Sequence, residues 1–285
     1  MIQNPPPNQP AAEPLGTPRL QPWVSQPGQE DGASAPGVSL RPAPPPTHLR
    51  LLTKFLIIPL MAASTAFFGC ISLLCGLWDR SGRQQHFVAH VWARTLLRLS
   101  FSPAQLIGRE HIPTSGSAVY ASNHLSYMDT PVLFGKLPFQ FRILAKHSLW
   151  KIPFVGWYLN RSGQVPIDSR SSRSAVAGLL RGVAVLKSGT PLVVFPEGAR
   201  SPDGTLHPMA SGCAFMAIRA GVPLIPVALI GTYQLLPIHC YTLRPRILKI
   251  VIGAPIPTEG LTTKDADSVT EHLYTAITAL YHQHS

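Results

Sequence analysis

The sequence predicts an α/β fold, in which a mixed sheet is flanked by helices and preceded by a two-helix membrane-anchoring motif. Three observations predict it. From about residue 106 onward, short apolar or alternating segments take turns with helical ones; a long charge-free run precedes them; and an amphipathic, basic segment joins the two. Hydrophobic residues make up 45% of the chain and charged residues only 13%, which is low for a soluble globular protein.

The first 47 residues differ in composition from the rest of the chain. They hold thirteen of the 30 prolines and few large apolar side chains. Such a stretch buries too little surface to offset the entropy of ordering it. We therefore predict a disordered proline-rich tail over residues 1–47, a two-helix membrane motif over residues 48–101 and an α/β domain over residues 102–285.

The charge-free run extends from Phe55 to Trp78. As a helix it would be about 36 Å long, enough to cross ~30 Å of hydrocarbon. Basic residues flank both ends, so the positive-inside rule leaves the orientation open. In the next segment, residues 83–100, apolar side chains share one helical face and basic ones the other, which is typical of a helix at a membrane surface. An ordinary helix packing its apolar face on the core explains this second pattern equally.

These two segments predict a membrane protein at the cytoplasmic face, either inserted into one leaflet or crossing the bilayer once. The net charge of +11 suits an anionic membrane surface, nucleic acid or an acidic partner protein. The charge lies beside apolar surface, which argues against nucleic acid. No Cys-x-x-Cys pair occurs among the four cysteines, so neither a disulfide framework nor a metal site is expected.

The α/β domain is predicted from its buried or alternating runs and from helical periodicity. The strand that begins at Val222 contains Pro223 and Pro226, which lack backbone donors, and we expect it at a sheet edge or cleft wall. Strands are expected at residues 117–122, 141–146, 191–195, 222–230 and 246–252, and helices at residues 130–135, 173–187, 211–220 and 267–281.

A histidine and an aspartate follow the first predicted strand of this domain. An imidazole titrates near neutral pH and suits proton abstraction from a hydroxyl, and a carboxylate on its other nitrogen fixes the tautomer. Five residues on a regular helix are about 500° apart, so His124 and Asp129 meet only if His124 lies in the turn before the helix. Asn123 and Ser126 are possible caps of that turn. Taken alone, the spacing is more typical of a capping or structural histidine.

Two further segments carry arginines next to turns. In Phe195–Ser201, Gly198 permits a tight turn, Arg200 offers a planar fork for phosphate, and Glu197 either accepts backbone N–H bonds or touches a substrate. A strand-ending turn with a surface ion pair is the simpler alternative. The segment Gly156–Arg161 offers a second arginine. No Gly-x-Ser-x-Gly elbow and no Walker loop occur, which argues against a serine nucleophile and against nucleotide hydrolysis.

Four segments in this order resemble the four blocks of the glycerophospholipid acyltransferase family, the lysophosphatidic acid acyltransferases. The blocks are His-x-x-x-x-Asp, Gly-x-x-Leu-x-Arg, Phe-Pro-Glu-Gly-x-Arg and Val-Pro-x-x-Pro-Val. Each block is modest alone, whereas four in order over residues 123–228 are highly specific. The resemblance extends to the preceding two-helix motif and leaves out residues 1–47. Ala199 stands where the family usually has threonine, so a hydroxyl contact to substrate is not expected there.

The resemblance implies transfer of an acyl chain from a thioester to the sn-2 hydroxyl of lysophosphatidic acid, which forms phosphatidic acid. It implies no metal and no cofactor. The donor is acyl-CoA or an acyl carrier protein thioester, and we favour the carrier protein. By the same resemblance, His124 is the general base oriented by Asp129; Arg161, Arg200 and Lys146 bind phosphate; Asn123, Glu197 and Gly198 shape the site; and Val222, Pro223 and Pro226 line the acyl side of the cleft.

Two alternatives stay open at this point. The acceptor is another lysolipid, or the chain is a non-catalytic lipid-binding protein of the membrane. Two arginines favour a phosphate-bearing acceptor, and the intact His124 and Asp129 favour an enzyme.

Overall fold

A computed structural model of the chain describes residues 45–152, 154–168 and 170–285. The predicted disorder of the proline-rich tail therefore falls almost wholly outside the described residues. Within them the α/β domain is built on seven strands. These are β1 (Ala104–Ile107), β2 (Val119–Ser122), β3 (Arg142–Lys146), β4 (Val165–Ile167), β5 (Leu192–Val194), β6 (Leu224–Ile230) and β7 (Leu248–Ile252).

The seven strands form one sheet in the order β1-β7-β6-β2-β5-β3-β4. Strand β7 runs antiparallel to β6, and the other neighbouring pairs are parallel. Parallel neighbours bring their carboxyl ends to the same edge of a sheet, and in open α/β sheets this edge is where ligands bind. The predicted mixed sheet is confirmed.

Helices cover both faces of this sheet. One face packs against α3 and α4, and the other against α6, α7 and α9, so that two apolar clusters are buried. The helices are α1 (Thr47–Leu52), α2 (Ile58–Cys75), α3 (Arg83–Leu99), α4 (Asp129–Lys136), α5 (Val155–Arg161), α6 (Ser172–Lys187), α7 (Gly212–Ala220), α8 (Thr232–Leu235) and α9 (Ala266–His284).

Helices α1 and α2 are joined by a π-helical turn, Thr53–Ile57, into one apolar helix that is long enough to cross a membrane. Most of its large side chains are exposed, among them Phe55 and Phe67. Helix α3 returns along α2, and the indole of Trp92 donates to the Thr65 hydroxyl at 3.1 Å. The apolar face of α3 packs on α4, as the alternative of an ordinary core-packed helix predicted.

Strand β6 is not at a sheet edge, and this prediction was wrong. It lies between β2 and β7. The carbonyl of Pro226 accepts a hydrogen bond from Gly253 N, so the missing N–H of Pro226 faces the β7 side of the strand. The assigned pairing with β7 begins at Val227, opposite Ile252, so the missing donor falls at the very end of that ladder and leaves its other bonds intact. Pro166 in β4 is the proline that marks an edge.

Candidate active site

His124 lies in the turn between β2 and α4, as its spacing from Asp129 requires. Its Nδ1 is 2.8 Å from Oδ2 of Asp129. The imidazole stacks on the ring of Phe195, with centroids 3.9 Å apart, and the His124 side chain is 12% exposed. The carboxylate and the aromatic ring together fix the plane of the imidazole. Because Nδ1 faces Asp129, Nε2 is the nitrogen left for proton transfer.

Asp129 begins α4 and is fully buried. Besides the imidazole, its Oδ2 accepts hydrogen bonds from Leu125 N at 2.7 Å and from Ser126 N at 2.8 Å. The amino end of a helix favours an anion. One carboxylate oxygen therefore closes the turn and orients His124 at the same time, so the geometry of the pair is set by the backbone of residues 125 and 126.

The residues predicted as caps anchor the turn in a different way. No side-chain cap forms at the start of α4. Instead the Asn123 amide exchanges two hydrogen bonds with the backbone of Leu229 in β6, with Nδ2 donating to the carbonyl at 3.0 Å and Oδ1 accepting from N–H at 2.7 Å. The Ser126 hydroxyl donates to the Leu236 carbonyl at 2.6 Å. Both side chains thus tie the turn to β6, the strand beside β2, and to the chain that follows β6.

A second loop, which follows β5, holds His124 by its main chain. Glu197 Oε1 accepts the N–H of His124 at 2.9 Å, and the carbonyl of His124 accepts the N–H of Ser201 at 2.9 Å. Glu197 Oε2 accepts from His207 N at 3.3 Å, and Gly198 has a φ of 77°, which glycine adopts without strain. These contacts place Glu197 and Gly198 in the loop that holds the main chain of His124.

Burial raises the pKa of Glu197 to about 8, against an ordinary value of 4.5. The folded protein therefore holds this carboxyl protonated at a pH at which the unfolded chain has ionised it. The unfolded state loses the proton first as pH rises, so folding stability falls from about pH 4.5 and levels off above about pH 8.

Glu197→Gln is expected to remove this pH dependence, because glutamine does not titrate. We expect the unfolding free energy of the native chain to fall by a few kcal/mol relative to the variant between about pH 5 and about pH 9. Thermal unfolding in detergent across that range measures the difference. If the unfolding free energies of the two proteins changed with pH in the same way, Glu197 would not be a buried carboxyl with a raised pKa.

Arg200 lies against the His124 turn. Its Nε donates to the Ser126 carbonyl at 3.2 Å, and its guanidinium lies 4.9 Å from the centroid of the Tyr127 ring. Within the described residues its two terminal nitrogens make no hydrogen bond. The fork is therefore held in place at one nitrogen and open to an anionic ligand at the others.

Lys146 ends β3 and is exposed. Strand β3 runs parallel to β5, which runs parallel to β2. The carboxyl ends of these strands meet at one edge, so Lys146 shares that edge with His124 and Glu197. The structure therefore brings Lys146 and Arg200 to the same side of the sheet as the imidazole.

Arg161, the third predicted phosphate ligand, is placed elsewhere. Its Nη1 donates to the Gly76 carbonyl, 3.1 Å away, in the turn after α2. The chain next to it meets the amino end of β3, where the Gln164 side chain accepts from Ile143 N. The structure therefore does not bring Arg161 to His124, which lies beyond the opposite ends of the strands.

The residues predicted to line the acyl cleft also lie away from the imidazole. The Pro223 carbonyl accepts from Val119 N at the amino end of β2, and Val222 precedes it. His124 follows the carboxyl end of the same strand. Pro226 is buried beside Ala121 inside the sheet. The resemblance assigns these residues to the acyl side of the cleft, whereas the structure places them at the amino end of β2 and inside the sheet.

Two site residues were not singled out from the sequence. Phe195 stacks on the imidazole, and Tyr127 lies under the Arg200 guanidinium. Both lie inside segments that the sequence motifs singled out. Neither ring carries a charge at neutral pH, so nothing in the sequence assigned either residue a role.

Residues 104–230, which contain both site loops, match the family model described as Acyltransferase. Residues 104–230 are an acyltransferase-family domain. The crystal structure of the 1-acyl-sn-glycerophosphate acyltransferase PlsC from Thermotoga maritima is similar to this chain, with a TM-score of 0.68 and 26% identity. The similarity covers 83% of this chain and 97% of that one. The α/β fold of the acyltransferase domain is thus shared with a solved structure.

Two relatives each align with more than half of this chain. A chloroplastic 1-acyl-sn-glycerol-3-phosphate acyltransferase from Brassica napus is 36% identical over 163 residues, which are 56% of this chain and 47% of the relative. One from Arabidopsis thaliana is 32% identical over 215 residues, which are 72% of this chain and 59% of the relative. The match thus spans about half the length of these relatives. The resemblance to this family is confirmed.

Proposed function

We propose that the chain is a 1-acyl-sn-glycerol-3-phosphate acyltransferase, which transfers an acyl chain from a thioester to the sn-2 hydroxyl of lysophosphatidic acid and forms phosphatidic acid. One observation carries the proposal: a buried carboxylate holds Nδ1 of His124 at 2.8 Å, while the neighbouring loop presents Arg200. The names of the relatives support the choice of acceptor.

In this reaction Nε2 of His124 takes the proton of the sn-2 hydroxyl as the oxygen attacks the thioester carbonyl. Asp129 stabilises the imidazolium that forms. The new ester C–O bond replaces the C–S bond, and the proton passes to the departing thiolate. A thioester is already activated, so base assistance of ~10²–10⁴-fold serves the step without a covalent enzyme intermediate. The proposed chemistry needs no metal and no cofactor.

The acceptor phosphate is assigned to Arg200, with Lys146 on the same sheet edge. Arg200→Ala is expected to raise KM for the lysolipid by about tenfold or more, because a charge-assisted hydrogen bond to phosphate is worth roughly 1.5–3 kcal/mol. Initial rates with either substrate varied measure the change. Arg219→Ala, an exposed arginine on α7, is the matched control. An effect mainly on the donor KM would refute the assignment.

The donor is assigned to an open pocket of about 350 Å³ that is lined by His147, Asp168, Arg173 and Arg181, among others. Arg173 and Arg181 are exposed and form no ion pair within the described residues, whereas Arg170 is paired with Asp168 at 2.6 Å. The pocket follows β3 and β4, on the sheet edge that carries His124. Its charge supports docking of a phosphate-bearing donor, acyl-CoA or acyl carrier protein.

Reversing both free charges, with Arg173→Glu and Arg181→Glu together, is expected to raise the donor KM by roughly tenfold and to leave the lysolipid KM unchanged. The effect should shrink as salt is added, because exposed charges are screened. Arg219→Glu with Lys264→Glu reverses the same charge elsewhere and serves as the control. Equal donor KM values for the two double variants would rule the pocket out.

The membrane location is assigned to the α1–α2 helix and its partner α3. Because α3 packs along α2, one side of α2 is covered by protein. A helix bound in this way to an α/β domain suits insertion into one leaflet better than a full span, and we place it at the cytoplasmic face.

The experiment that tests the function uses the full chain in liposomes that contain lysophosphatidic acid. Parallel reactions receive acyl-CoA or an acyl carrier protein thioester, and phosphatidic acid is measured. Product with one donor establishes the reaction and names that donor. If folded protein makes no product with either, a panel of other lysolipids follows; failure with the panel would leave the non-catalytic lipid-binding alternative.

A further inference from the structure

Large apolar side chains crowd the exposed surface of one short segment. Between residues 149 and 157, Phe154 is 62% exposed and Trp157 57% exposed. Exposed apolar patches on soluble proteins are seldom this dense and mark a binding surface where they occur. We call this surface the α5 patch; its exposed residues are Leu149, Ile152, Phe154, Val155 and Trp157.

The α5 patch is built rigidly into the fold. A Cβ added to Gly156 would lie 2.2 Å from the Trp150 carbonyl oxygen, so the helix packs directly on the turn before it. Phe154 has a φ of 62°, unusual for a residue other than glycine, and its ring meets that of Trp157 at 5.0 Å in an edge-on arrangement. Leu159 of α5 packs into the core, and the exposed side chains of the α5 patch do not contribute to the core.

Basic side chains surround the patch. Lys146, Lys151 and Arg161 are exposed, and the sequence has no acidic residue between Asp129 and Asp168. Aromatic rings beside lysine and arginine suit the interface between anionic headgroups and acyl chains, where a ring is partly buried and the cations meet phosphate.

The patch is continuous with the proposed membrane helix. Arg161, at the end of α5, donates to the Gly76 carbonyl in the turn after α2. Trp78 in the same turn is 63% exposed. A bilayer that receives the end of α2 therefore reaches the α5 patch without a change in the orientation of the protein.

We propose that the α5 patch is a second membrane-contact site, which inserts its aromatic rings at the headgroup level of an anionic leaflet beside α2. The inference rests on the membrane location given under the proposed function. Two separated contacts fix the rotation of the domain on the bilayer, which a single helix does not.

Tryptophan fluorescence tests the contact in the full chain. Each variant has a single tryptophan. The first keeps Trp157 and the second keeps Trp78. In the third, Tyr274→Trp on α9 provides the one tryptophan, on the opposite face of the sheet. Each is bound to vesicles of phosphatidylglycerol and phosphatidylcholine with brominated acyl chains. We expect quenching and a blue shift for Trp157 and Trp78 and neither for position 274.

The two reporters separate the inference from the location on which it rests. Quenching of Trp78 without quenching of Trp157 would overturn the second contact and leave the helix in the membrane. No quenching of either would overturn both. Quenching at position 274 equal to that of Trp157 would also overturn the contact, since it would show no preferred face.

A second measurement leaves the other tryptophans in place. Phe154→Ser with Trp157→Ser is expected to speed transfer of the protein from donor to acceptor vesicles by roughly tenfold or more, because two large rings leave the interface. Leu180→Ser with Tyr274→Ser removes exposed apolar side chains from α6 and α9 and is the matched control. Equal transfer rates for the two double variants would overturn the proposal.

Discussion

Replacing His124 by alanine is expected to lower kcat by ~10²–10⁴-fold, the usual contribution of a positioned general base. The loss should fall on kcat and not on either KM, because the imidazole takes up the proton only as the thioester is attacked. The fold should survive, since the contacts that place this residue run through its main chain to Glu197 and Ser201. Steady-state rates on lysophosphatidic acid vesicles, with melting temperature measured beside them, test both statements.

His272→Ala is the matched control for this variant. His272 is exposed on α9, on the other side of the sheet, so its loss should leave kcat and melting temperature unchanged. A His124 variant that keeps a native kcat would remove the proposed mechanism and would return the histidine to a purely structural role.

Asp129→Asn is expected to lower kcat by about 10³–10⁴-fold while most of the fold persists, because a neutral amide does not stabilise the imidazolium that forms when His124 takes the proton. The asparagine oxygen still accepts from the backbone of Leu125 and Ser126, as the carboxylate does now. Asp129→Ala removes those acceptors as well. It should cost a further ~1–3 kcal/mol of folding stability for each buried N–H left without a partner.

The pair of variants separates orientation from folding. If catalysis depends on the carboxylate, Asp129→Asn and Asp129→Ala lose similar activity and differ in melting temperature. If both variants lost activity only in proportion to their loss of folded protein, Asp129 would be a structural residue alone. Asp267→Asn is the matched control. It removes one negative charge from the first turn of another helix, α9.

Most of the sheet could be predicted because its strands are buried runs long enough to carry a pattern. The observed β2, β3, β5, β6 and β7 lie inside the predicted segments. Strands β1 and β4, with four and three residues, and helix α5, with seven, escaped prediction. Two or three side chains per face are too few to show a periodic pattern. Such short elements form because neighbouring strands and helices provide hydrogen-bond partners and packing surfaces for them.

The position of β6 shows where local reasoning fails. The prolines were expected to leave backbone hydrogen bonds unmade and so to place β6 at an edge. The missing N–H of Pro226, however, falls at the end of the β7 pairing. Whether a proline harms a sheet depends on the register of its neighbours, which the sequence does not contain.

The centre of the site could be predicted because its chemistry depends on few residues close in sequence. The turn that brings His124 to Asp129 is dictated by a spacing that a regular helix cannot accommodate. Arg161 could not be placed in this way. Its position depends on a carbonyl 85 residues away at the end of α2, and long-range packing of that kind leaves no local signal.

Both main-chain polar groups of His124 are bonded to the loop after β5, and Asn123 beside it is bonded to β6. The position of the imidazole therefore depends on three strands that are far apart in sequence: β2, β5 and β6. Opening the loop after β5 would break both main-chain contacts that place the imidazole. We therefore expect damage to that loop to appear as fewer active molecules of unchanged turnover, not as a uniformly slower enzyme.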